Sequence, residues 1–181
     1  MSEAKTLDPQ KYGEQVNVLT VLSYHKLQDV NKLKEALETL QKENPAAVSR
    51  VPDVIPAWLG LQAYGMKDLE TADKYMTWAT QNDQLQNVKK VIWRNLAKVR
   101  LALKKYDRAL VASNNFLKVE DQPYRRADGM LDKASILLGL GKYADARKTA
   151  EEALALGVEG PLMASLKIVL GLSLIHISEP T

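Results

Sequence analysis

The sequence contains no cysteine, which excludes disulfide bridges and thiolate metal sites. It has a single phenylalanine, and aromatic residues make up only 6% of it. Histidine is also scarce: His25 and His176 are the two imidazoles, and neither has a second metal ligand at helical spacing. A surplus of one charge is missing as well. Lys and Arg number 25 against 22 Asp and Glu, a net charge of +3, and a mixed surplus of this size is not the clustered basic stripe of a nucleic-acid-binding domain. No apolar run reaches the ~20 residues of a membrane span. The first nine residues, Met1 to Pro9, are polar and include acids, unlike a signal peptide. Cytoplasmic location is therefore the default expectation. Nucleophile–base pairings, glycine-rich phosphate loops and paired ligands are absent too, so the chain is expected to be neither an enzyme nor a cofactor carrier.

What the sequence does hold is aliphatic. Apolar residues make up 46% of it, mostly Ala, Leu and Val, a mix that favours helices over sheets. They recur at steps of three and four: Leu33, Ala36, Leu37 and Leu40 are one such series. Period-two alternation is not found. Punctuation by Asp, Gly and Pro divides the chain into helix pairs over about 9–44, 53–83, 85–120 and 123–157, with part of a fifth from 161. The turns are expected near Asp29, at Lys67-Asp68, near Tyr106-Asp107 and at Gly141-Lys142-Tyr143. The fold expected is all-α, with short loops joining antiparallel neighbours.

One alanine gives these pairs a period. Ala36, Ala72, Ala109 and Ala146 are 36, 37 and 37 residues apart. Each follows a bulky residue by three positions: Leu33, Leu69, Tyr106 and Tyr143. Self-similarity at such an interval is the signature of a repeat architecture. A small residue where paired helices cross lets their backbones come to the short end of the ~8–10 Å packing range. The bulky residue three positions earlier is expected to plug the next pair.

The stretch Leu138 to Leu156 resembles the turn and second helix of the tetratricopeptide repeat family: Gly141, Tyr143 and Ala146, then Ala153 seven further on with Leu154 after it. Leu103 to Leu110 echoes it, Trp93, Leu96 and Ala97 fall where the family has its first-helix residues, and Leu59-Gly60 does likewise. Departures are the longer interval, Phe116 at a second-alanine position and displaced closing prolines. The resemblance, over residues 16 to 171, implies a right-handed α-solenoid. It also implies a non-catalytic scaffold that holds a peptide or partner helix in a groove lined by first helices. Carried over, the groove residues are His25, Trp58, Leu61, Arg94, Asn95, Lys98 and Asp132. Arg94 and Lys98 share a helix face, extended by Lys90, and such a row with an amide can hold an acidic peptide. The plain alternative is a solvated charged face.

Two other functions fit the same residues. The chain could be an accessory repeat region of a larger enzyme, secretion or regulatory protein. Lys89, Lys90, Arg94, Lys98, Arg100, Lys104, Lys105 and Arg108 make the third pair the most basic, as an RNA-binding helical repeat requires. Finally, Leu172 to Thr181 resembles the translated sequence of a transposase-type sequencing adapter. On that resemblance residues 1–171 form the repeat domain, 172–181 are a foreign tail, and the natural protein is expected to continue past Gly171.

Overall fold

A computed structural model describes residues 9–81 and 86–178. Among them every regular element is helical, with no strand. The chain divides into two compact units, Met1–Gln84 and Leu85–Thr181. The first holds α1 (Pro9–Lys26), α2 (Val30–Glu43), a 3-10 turn (Pro45–Arg50), α3 (Val54–Gly65) and α4 (Leu69–Thr80). The second holds α5 (Gln86–Ala102), α6 (Tyr106–Val119), α7 (Pro123–Gly139), α8 (Tyr143–Leu154) and α9 (Gly160–Ser178). Residues 82–85, which hold the boundary expected between the second and third pairs, lie outside the described residues.

Helices pack as hairpins: α1 with α2, α3 with α4, α5 with α6, α7 with α8. In the second unit α7 also touches α5 and α9, so first helices lie side by side. All four hairpins are joined by one turn. Gln28, Lys67, Lys104 and Gly141 have φ of 55°, 63°, 56° and 71°, at intervals of 39, 37 and 37 residues. The amide of the following residue reaches back five positions: Asp29 to Tyr24, Asp68 to Ala63, Lys105 to Arg100 and Lys142 to Leu137, at 2.8–3.1 Å. This double closure is the Schellman motif, which satisfies the orphan carbonyls of the first helix. The turn after α5 therefore lies at Lys104-Lys105, ahead of its expected place. Tyr106 already begins α6.

Second helices start at matching points. Asp29 and Asp68 cap α2 and α4 by accepting from the Lys32 and Thr71 amides at 3.0 and 3.2 Å. Ala72, Ala109 and Ala146 stand four residues past the cap and are fully buried. In the first hairpin that place belongs to Leu33, also fully buried, because Ala36 stands seven past Asp29. The first interval of 36 thus joins positions that are not equivalent, and the turns give 39.

A second set of small residues faces the same contacts. A Cβ on Gly60 of α3 would come within 2.9 Å of the Met76 backbone nitrogen of α4. Ala97 and Ala134, 37 and 74 residues later, are buried on α5 and α7. Two of the four plugs reach forward: the Tyr106 ring occupies the space a Cβ on Gly139 would need, and Tyr143 stacks on His176 at 4.6 Å. Phe116 is accommodated because Gly129 of α7 leaves room for its ring. The last helix, α9, runs without a break through Leu172 to Ser178, and Ser173 is buried.

Candidate functional site

In the first unit, Trp58 sits half-buried against the core of Val21, Leu33, Leu37 and Leu40. The His25 ring meets it edge-on, with centroids 5.4 Å apart and planes at 85°. Two expected groove residues therefore touch each other, as an edge-to-face aromatic pair does. Leu61, also half-buried, lies three residues further along α3.

In the second unit the remaining candidates converge. Arg94, Asn95 and Lys98, with Lys90, Val91, Phe116, Glu120 and Arg125, line an open depression of about 360 Å³. α5, the end of α6 and the start of α7 build it. The turn between α6 and α7 is held firmly. Glu120 Oε1 accepts from the Asp121 and Gln122 amides at 3.0 Å each, and Arg126 Nη1 donates to the Leu117 and Glu120 carbonyls at 2.6 and 3.1 Å.

The basic row is not open to a ligand's charge. Lys90 donates to Asp121 at 3.1 Å, with the buried Glu120 carboxylate at 3.9 Å. Arg94 pairs with Asp128, and its guanidinium also lies 6.0 Å from the Phe116 ring centroid. Lys98 faces Asp132 at 3.7 Å, an ion pair too long for a hydrogen bond. Arg94 to Asp128 and Lys98 to Asp132 each span 34 residues. Two residues four apart on α5 therefore meet two residues four apart on α7, and a ladder forms between neighbouring first helices. Asp132, placed in the groove from the sequence, is a rung of this ladder. The sequence reading missed Asp128, Asp121 and Glu120. The matched four-residue spacing of Asp128 and Asp132 was the available signal.

The rungs differ in solvation. Burial pushes the Asp132 carboxyl above the usual carboxylate range, with Lys98 and Arg94 pulling the other way. Its Oδ2 and Arg94 Nε have no hydrogen-bond partner. The exposed Asp121 goes down instead, held first by the Lys90 hydrogen bond. Of the wider basic set, Arg100 is buried and donates to the Arg108 carbonyl at 3.2 Å.

Among the described residues no three His, Asp or Glu side chains are grouped as metal ligands. No described helix is long and apolar enough to cross a membrane. No protein-family model matches the chain, and no curated protein matches it either.

Proposed function

We propose that this chain is a non-catalytic interaction scaffold of the tetratricopeptide-like solenoid type, whose first helices hold a peptide or a partner helix. The observation that carries this reading is the depression between α5 and α7, where side chains from neighbouring hairpins line one surface. Half-buried Lys90, Arg94, Asn95 and Lys98 lie there beside exposed Val91 and buried Phe116, on helices fixed by packing, as a recognition surface requires. Because Lys90, Arg94 and Lys98 are already paired, the occupant is recognised by shape and by hydrogen bonds to groups such as Asn95. The same pairing weighs against an RNA groove, which needs cations free to meet phosphate.

The test is a peptide selection by display on the intact protein, with Asn95→Trp as the counter-screen. Peptides that bind wild type, lose at least about tenfold in affinity for the variant and shift the amides of Val91 and Asn95 support the proposal. Failure to enrich any peptide, or peptides indifferent to Asn95→Trp, would contradict it.

A further inference from the structure

The ladder engages one set of cations in the second unit, and another set is unpaired. α6, α7 and α8 line an open depression of about 540 Å³. α7 supplies Arg126, Met130 and Lys133, whose steps of four and three put them on one helix face. Leu117 and Lys118 come from α6, and the exposed Glu152 from α8. Arg126 is fixed where it stands, because its Nη1 donates to the Leu117 and Glu120 carbonyls. Its Nε and Nη2, and the ammonium groups of Lys118 and Lys133, have no hydrogen-bond or ion-pair partner among the described residues. The hairpin does not call for these charges. A 37-residue shift, the interval of the later turns, lays Lys118, Arg126 and Lys133 on Ala155, Met163 and Leu170.

We propose that this depression binds an acidic segment of another protein. It seats one side-chain oxyanion, a carboxylate or a phosphate, between Arg126, Lys118 and Lys133. An adjoining apolar side chain of the segment lies over Leu117 and Met130. A guanidinium already held by main-chain carbonyls loses little freedom on binding, and its planar fork matches either oxyanion. Leu117 is half-buried and Met130 buried, so the floor is apolar beside the charges. That mixture suits a peptide better than a nucleic acid, whose repeated phosphates call for a track of cations. Glu152 interrupts such a track here. The proposal does not rest on the α5/α7 depression, which shares none of these residues.

The probe is a short capped peptide of alternating glutamate and leucine, titrated into the isotope-labelled full chain. A second peptide carries phosphoserine in place of glutamate. Saturable shifts at the amides of Lys118, Arg126, Met130 and Lys133 are expected with one or both, weakening as salt is raised. Lys118→Glu and Lys133→Glu break no internal bond, and each should reduce affinity at least about tenfold. Lys167→Glu makes the same change of net charge at an exposed site on α9 and should leave affinity unchanged. Absence of shifts with both peptides at millimolar concentration, or an equal loss in Lys167→Glu, would overturn the proposal. So would inorganic phosphate binding as tightly as the peptides, or an oligouridylate binding more tightly, since these assign the depression to a free ion or to RNA. Asn95→Trp should leave the shifts in place, which separates failure here from failure of the reading of the α5/α7 depression.

Discussion

The two units tie their neighbouring hairpins together with charge on different helices. In the first unit the ties join second helices. Lys34 of α2 reaches Asp68, the cap of α4, at 3.3 Å, and Lys74 of α4 reaches Glu38 of α2, also at 3.3 Å. All four side chains are more than a third exposed. In the second unit the ties join first helices, and Arg94 with Asp128 is only 27% and 28% exposed. Placing charge between first helices removes it from the supply a groove could offer a ligand. A row of cations at four-residue steps, taken from the sequence alone, resembles an anion receptor, yet its partners stand one hairpin further along.

If both units use the same hairpin despite these different ties, overpacking should hurt them alike. Ala72→Leu and Ala146→Leu should each cost about 2–3 kcal/mol by denaturant unfolding, since both sites are fully buried at a helix crossing. A marked inequality would show that the hairpins are not equivalent.

Removing a tie should separate the units. Arg94→Ala leaves the partly buried Asp128 without its cation and should cost about 1–2 kcal/mol. Lys34→Ala removes a solvent-screened pair and should cost about 0.5 kcal/mol or less. Equal losses would erase the distinction.

The turns offer a smaller comparison with opposite signs. Lys67 and Lys104 hold a left-handed conformation that glycine adopts freely, so Lys67→Gly and Lys104→Gly should each stabilise the chain by about 0.5–1 kcal/mol. Gly141→Ala should destabilise it by a similar amount.

The smallest effect is that of pH. Asp132 titrates above its unfolded value, so the folded chain takes up its proton first. Stability should therefore rise as pH falls from neutral through that folded value, and Asp132→Asn should flatten this rise. Asp68 behaves oppositely. The Thr71 side-chain hydrogen bond, opposed by burial and aided by Lys34, holds it low. Its contribution is present above the unfolded value and is lost as pH falls through the folded one. Thermal unfolding of wild type, Asp132→Asn and Asp68→Asn across acid pH distinguishes the two.

These contrasts also show what the residues reveal unaided. Helices and their pairing are legible because apolar spacing of three and four leaves little alternative, and the fourth turn is legible because Gly141 announces it. The turns near Asp29 and at Lys67-Asp68 are legible in place, and the third lies slightly ahead of its expected position. What is not legible is the left-handed residue at Gln28, Lys67 and Lys104, because tertiary packing holds residues there that do not favour that backbone. Ala36 misleads because alanine is common in helices, and its spacing nearly matches the true period. The ladder residues Arg94, Lys98 and Asp132 stand out one by one in the sequence, but their pairing does not. Whether Arg94 faces a ligand or Asp128 depends on how one hairpin lies against the next.

That pairing is the centre of the account, and a double-mutant cycle of Arg94→Ala and Asp128→Ala measures it directly. A coupling energy of about 1–2 kcal/mol is predicted for a partly buried pair joining α5 to α7. A coupling below about 0.3 kcal/mol, the scatter expected of independent sites, would contradict the ladder and return the basic row to the groove.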